Sequence, residues 1–365
     1  MRSNMWFRAI PLAILTVALG VPPQAFRVFA GQQEGPQRST PSVQPQPPKL
    51  PTVQTRGQAP KAPPPPASSI AIESTVVNVD AAVTDAEGNI LTGLKRENFR
   101  ILADGQPQQI TNFSPSDAPI TIVMLMEFSK IYYGFFGYKS EQWAAGFLNH
   151  LKPQDWIAFK TFDLKTTLQV DFTQNKNEVL QAIQSLFIPD FTEATLFDSV
   201  IETLDQLRDV QGKKSILVLA TGLDTLSKHN LDQTLKRLRE TDVTIFCVGM
   251  GEEIDLYGGG ANMSYLQAKN ELNTFAQMTG GYAWFPRFQG EMPDIFNSVA
   301  AYLRNQYTLG FTPSLPQDGK FHKLTIQMVD TNGNEMLLAD KKGKMKKTIV
   351  HARNGYTALA APVGN

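Results

Sequence analysis

Residues 120–130, ITIVMLMEFSK, run apolar without the alternation of a half-exposed strand and then break at Glu127, Phe128 and Ser129. Continuity of that length predicts a strand buried on both faces, as at the centre of a parallel sheet. Ligands of open α/β sheets bind beyond the carboxyl ends of such strands, so an acid and a hydroxyl here stand where a site would be built.

Further along, apolar runs alternate with stretches of three-and-four spacing. Strands are predicted at 156–162, 167–172, 215–220, 243–250 and 282–285. Between them fall helices: one capped by Ser140 with Ala144, Phe147, Leu148 and Leu151 on one face, and one from Asn175 carrying Val179, Leu180, Ile183, Leu186 and Phe187. Others carry Phe197, Val200, Ile201, Leu204 and Leu207, then Leu231, Leu235 and Leu238, then residues 272–278, and last Met292, Ile295, Phe296, Val299 and Leu303. Strands alternating with amphipathic helices imply an α/β, doubly wound, mostly parallel sheet over residues 118–305.

The flanks have the two-residue period of β structure. Residues 76–84 alternate and stop at a turn over 85–89; 99–102 and 109–113 follow, joined through Asp104-Gly105, so two short hairpins are predicted before the central strand. Alternation returns at 307–311, 323–329 and 347–353, with turns at Asp318-Gly319 and 331–334; the basic cluster 341–347 reads as a solvated hairpin connection. Neither 70–117 nor 306–356 is large enough to bury a good core alone, so the two should pair into a small β-sandwich with the α/β domain inserted between them, leaving 357–365 as a tail.

Composition changes the picture at the amino end. Residues 1–30 hold Arg2 and Arg8, an apolar run over 9–21 and the Val28-Phe29-Ala30 triplet, the pattern of a signal peptide cleaved near Ala30. A retained membrane anchor fits less well, because the run is shorter than the roughly 20 residues of a spanning helix and Pro22-Pro23 closes it. Residues 31–69, rich in Pro, Gln, Ser and Thr, predict a disordered extended tether. Placement is then secreted, periplasmic or in a bacterial cell envelope, with no stable membrane span after cleavage. The 365 residues carry a formal net charge of zero, which supplies no field for nucleic acid. Cys247 is the one cysteine and lies in an apolar run, so it reads as a small buried hydrophobe.

Four separated segments carry a more specific signal: VNVDAAVTDAEGNILTGLKRENFRILADGQPQQITNF before the α/β stretch, and LRNQYTLGFTPS, GKFHKL and HARNGY after it. With the central strand, they resemble the von Willebrand factor A superfamily, in particular its acidobacterial branch, over about residues 74–356. The resemblance implies a divalent metal, Mg or Mn, at the sheet's carboxyl edge, held by a D-x-S-x-S loop, a later threonine and a later aspartate. Here the first loop is Glu127-Phe128-Ser129-Lys130-Ile131, the threonine segment is EATLFD with Thr195 displaced by one position, and Thr221 stands where an aspartate is implied, with Asp224 nearby. The candidate ligands are therefore Glu127, Ser129, Thr195 and Asp224, a degenerate metal-ion-dependent adhesion site in which no cofactor is expected to bind well.

The stretch after Ser129 is aromatic and glycine-spaced. Tyr132, Tyr133, Phe135, Phe136 and Tyr138 form a candidate partner-binding loop, or else pack over the sheet edge. Ser129 lacks a G-x-S-x-G elbow, EFSKIYYGF is no phosphate loop, and Gly258-Gly259-Gly260 stands apart from any strand-to-helix turn. The expected function is exported, non-catalytic binding, adhesion or scaffolding with a protein or cell-envelope ligand as partner. The alternative is an enzyme with a hydrolytic or nucleotide site on the same sheet edge.

Overall fold

The computed structural model describes residues 76–115, 118–136, 139–251, 263–316, 318–340 and 342–358, all within one compact unit. The predicted signal peptide, the tether, Gly258-Gly259-Gly260 and most of the tail lie outside these residues.

All eight residues of β5 (Ile120–Glu127) are buried. The alternation of a strand divides them: Ile122, Met124 and Met126 enter one apolar core, while Val123 and Leu125 enter another on the opposite face. Parallel neighbours lie on both sides, β6 (Trp156–Phe162) and β8 (Lys213–Ala220). Beyond them come β7 (Thr166–Thr173), antiparallel to β6, and β9 (Thr244–Gly249) with β10 (Ala283–Trp284). The sheet order β10-β9-β8-β5-β6-β7 is the doubly wound arrangement with one antiparallel edge. Helices Ser140–Leu148 and Met292–Arg304 cover the first face through Phe147 and Phe296; Leu196–Leu207 and Met263–Thr279 cover the second through Leu204 and Phe275. Each such side chain contributes about 1.5–3 kcal/mol on burial, so the apolar run that identifies the centre in sequence also anchors it. Cys247 on β9 is fully buried in the second core.

The chain ends pair with each other. β1 (Val77–Thr84) lies antiparallel between β11 (Tyr307–Phe311) and β15 (Ile349–Ala352), and β4 (Ile110–Pro115) flanks β11. A second sheet joins β12 (Phe321–Met328) to β2 (Phe99–Ala103) and to β16 (Gly355–Thr357), with β3 (Gln106–Gln108) beside β2. Val79, Val83, Ile101, Leu309, Phe311 and Leu324 from the two sheets form a third core. A two-stranded hairpin, β13 (Leu337–Ala339) and β14 (Met345–Lys347), encloses most of the basic cluster.

Several sequence expectations need correction. Only the bridge Thr84 to Ile90 follows the first turn, because Asp85 Oδ1 accepts from the backbone of Glu87 and Asn89 and closes the loop on itself. The hairpin partner of β2 is β3, not the strand after it, and β4 crosses to the other sheet. The N-cap of helix Ser140–Leu148 is Lys139, with no side-chain cap bond, so Ser140 is not the cap. Helix Lys176–Gln184 begins at Asn175 as expected, with Asn175 as its N-cap accepting from Asn177 N–H at 3.2 Å, but it stops before Leu186 and Phe187.

Candidate functional site

At the carboxyl edge of the central strand, Glu127 is buried to 2% exposure. Its side chain crosses from the end of β5 to the end of β8. Oε2 accepts from Thr221 N–H at 2.7 Å and from Thr221 Oγ1 at 2.8 Å, while Oε1 accepts from Ser129 Oγ at 2.5 Å. Ser129 Oγ in turn accepts from Tyr132 N–H at 3.2 Å. Burial pushes the Glu127 carboxyl above its ordinary range, against the hydrogen bonds from Ser129 and Thr221 that pull it down. Gly222 then reverses the chain at φ 86°, where a Cβ would lie 2.8 Å from Leu272 Cδ1, so only glycine fits behind Thr221.

Thr195 and Asp224, the other candidates, are engaged elsewhere. Thr195 donates both its N–H (2.8 Å) and its hydroxyl (2.9 Å) to the carbonyl of Asp163, just past β6. Asp224 Oδ1 accepts from Phe197 N–H at 3.0 Å in the first turn of helix Leu196–Leu207, and from Ser227 Oγ at 2.5 Å. It serves as that helix's cap from another loop, since the N-cap residue Thr195 makes no side-chain cap bond. Among the described residues no group of three or more His, Cys, Asp or Glu side chains is placed to hold a metal ion.

The aromatic stretch is not a loop where it is described. Lys130–Phe136 is a short helix, started by Tyr133 N–H donating to Ser129 O at 2.9 Å. Tyr132, at 2% exposure, is packed into the first core, and burial followed by the Glu127 charge pushes its phenol well up. It is not open to a partner. Tyr133 is half-buried, edge-on to Phe128 at 5.8 Å between ring centroids. The side chains of Phe135 and Phe136, and the whole of Tyr138, lie outside the described residues.

A different apolar group is exposed at this edge. Phe187 (86%), Ile188 (71%), Phe191 (43%) and Leu226 (56%) sit on the loops flanking the Glu127 site. Phe191 O accepts from Lys130 N–H at 2.8 Å, and Leu226 N–H donates to Ala194 O at 3.3 Å, which fixes both loops beside the strand end. Sequence reasoning missed this group because Phe187 continues the three-and-four spacing of the preceding helix; the signal was the run Phe187-Ile188-Pro189-Asp190-Phe191, whose proline stops helix continuation.

Fold and edge together define a doubly wound α/β domain whose carboxyl-edge loops are tied by internal polar bonds. No family profile matches the chain and no curated protein matches it. Solved structures are similar at low identity. Proximal thread matrix protein 1 from the mussel byssus overlaps at a TM-score of 0.42 and 13% identity, covering 53% of this chain and 50% of that one, so the match spans about half of the mussel protein. A von Willebrand factor type A structure from Catenulispora acidiphila gives 0.42 and 10% identity over 71% of this chain and 73% of that one. The conserved hypothetical protein BatB of Bacteroides thetaiotaomicron gives 0.39 and 11% identity over 51% and 100%. Overlaps at this level establish neither a family nor an activity for the chain.

Proposed function

We propose that this is an exported, non-catalytic binding or scaffold protein of the von Willebrand factor A type, as its resemblance to the acidobacterial branch implies, and that it holds a protein partner at the carboxyl edge without a metal ion. The flanking strands act in this reading as one β-unit presenting the inserted α/β domain, and the residues before 76 as leader and tether.

The observation that carries it is the pairing of a self-satisfied polar centre with an exposed apolar rim. Both Glu127 oxygens accept hydrogen bonds from within the protein, and the Thr195 hydroxyl and Asp224 carboxylate are turned to a carbonyl and a helix end. That donor set does not fit a divalent cation, which needs several of these oxygens converging. Apolar groups as exposed as Phe187 and Ile188, beside an edge used by ligands in this architecture, fit a protein surface better than water. Ser129 Oγ donates to Glu127 and accepts from Tyr132 N–H, with no histidine among these partners, so the serine–histidine pair of a hydrolase is not formed here. No helix among the described residues is long and apolar enough to cross a membrane.

Capture of envelope proteins by the chain from residue 31 onward, run in parallel in EDTA and in Mg²⁺, tests the reading. The same partner should be retained in both, and lost with a Phe187→Ser, Ile188→Ser double variant. Capture abolished by EDTA would overturn the metal-free reading, and capture untouched by the double variant would overturn the apolar rim.

A further inference from the structure

At the opposite, amino end of the parallel sheet lies a cavity of about 350 Å³. Its walls include Asn78 and Asp80 of β1, Thr308 of β11, Lys213 of β8, Asp242 and Arg353. They therefore come from both the α/β sheet and the strands of the chain ends, a kind of junction where small-ligand sites are commonly built.

Two cations in this wall have donors without acceptors. Lys213 opens β8 and is 9% exposed, and its Nζ is buried with no hydrogen-bond partner. The next residue shows that the chain can satisfy a lysine here: Lys214 donates Nζ to the carbonyls of Leu207 at 3.2 Å and Val210 at 2.8 Å, and pairs with Asp242 at 3.0 Å. Alternation along β8 sends Lys213 the other way, toward the cavity. Arg353 donates Nη2 to Asn78 O at 2.9 Å, while its Nε is buried and has no partner.

The carboxylates nearby do not complete these donors. Asp80 Oδ1 accepts from the Thr308 hydroxyl at 2.6 Å, and Asp242 is taken by Lys214. The Asp80 charge supports both cations electrostatically, yet burial dominates and holds the Lys213 ammonium below its ordinary range. A buried cation without an acceptor is costly, and an oxyanion supplies both the acceptors and the opposite charge.

We propose that this cavity is an oxyanion site in which Lys213 Nζ and Arg353 Nε donate to one phosphate or carboxylate group, so that the bound ligand ties the α/β sheet to the strands of the chain ends. Titration calorimetry of the whole chain with inorganic phosphate and with succinate, each against chloride at equal ionic strength, tests it and separates the two chemistries. At least one oxyanion should bind and raise the melting temperature where chloride does not. Lys213→Met or Arg353→Gln, whichever folds, should weaken that binding at least tenfold, whereas Lys165→Met in the exposed turn between β6 and β7, at the other end of the sheet, should leave it unchanged. Absence of binding beyond the chloride control, or undiminished binding by the folded variants, would overturn the proposal and leave the cavity to water.

Discussion

Replacing Glu127 by aspartate isolates what the longer acid does. The bridge from β5 to β8 rests on Oε2 meeting Thr221 N–H at 2.7 Å and Thr221 Oγ1 at 2.8 Å. Removing one methylene withdraws the carboxylate by about 1.5 Å, roughly the rise of a single bond, and those contacts cannot survive while Ser129 is kept. The Thr221 hydroxyl can turn to another acceptor, but its N–H is left buried without one, at about 1–3 kcal/mol, and the lost methylene adds about 0.8 kcal/mol. The expected loss is therefore about 2–4 kcal/mol, or a fall in melting temperature of roughly 5–15 °C at about 2–4 °C per kcal/mol. Glu127→Gln is the control: its carbonyl can face Thr221 while its amide donates to Ser129 Oγ, so its stability should stay within about 1 kcal/mol of wild type. The pH dependence separates them further. The folded pKa of Glu127 lies above its ordinary 4.5, so its favourable contribution is present below that value and is lost as pH rises through the folded pKa. The glutamine variant lacks this loss and should gain on wild type over that window. Thermal unfolding followed by circular dichroism, with and without millimolar Mg²⁺, is the assay. A micromolar Mg²⁺ site would add about 4 kcal/mol to wild type, and little or no shift is expected. An aspartate variant as stable as wild type, or a large Mg²⁺-dependent rise lost on Ser129→Ala, would refute the bridge.

Two further outcomes follow from buried charge. Asp155, fully buried, pairs with Arg304 and accepts from Ile120 N–H at 3.0 Å and Lys152 N–H at 2.6 Å, so Asp155→Ala should cost about 3–5 kcal/mol, read as a lower urea midpoint. His351 packs edge-on against the rings of Tyr282 and Tyr302 at 5.4 and 5.3 Å, with Nε2 3.3 Å from Thr84 Oγ1, and burial holds it below 6.5. Its neutral form is favoured in the fold, so stability is fully present above 6.5 and is lost as pH falls through the folded value; His351→Gln should flatten that acid limb in a pH series of melting curves, and an unchanged limb would remove His351 as its source.

The layout of the α/β sheet was legible because burial on both faces leaves a mark no surface strand leaves. Residues 120–126 are apolar but for Thr121, and their odd and even apolar members serve different cores. Where packing rather than local pattern decides, the sequence was silent. Lys130–Phe136 holds a glycine and four aromatic residues, poor helix formers, and becomes helical where the Tyr132 ring is drawn into the core and Ser129 accepts from the turn above it. The apolar spacing that marks helix Lys176–Gln184 also ran on past its end, so a residue left 86% exposed read as one of its buried face.

At the carboxyl edge the residue types were visible but their partners were not. Glu127 and Thr221 are 94 positions apart, yet the side chain of the one reaches both the hydroxyl and the N–H of the other at the end of the neighbouring strand. Together the two residues form a hydrogen-bonded bridge between the ends of β5 and β8. Thr195 and Asp224 follow the same rule, since a hydroxyl and a carboxylate suited to a cation are equally suited to a carbonyl and a helix end, and the fold supplies Asp163 O and Phe197 N–H. The chemistry open to a polar side chain is announced by its type; the chemistry left to it depends on which of its hydrogen bonds the protein has already taken.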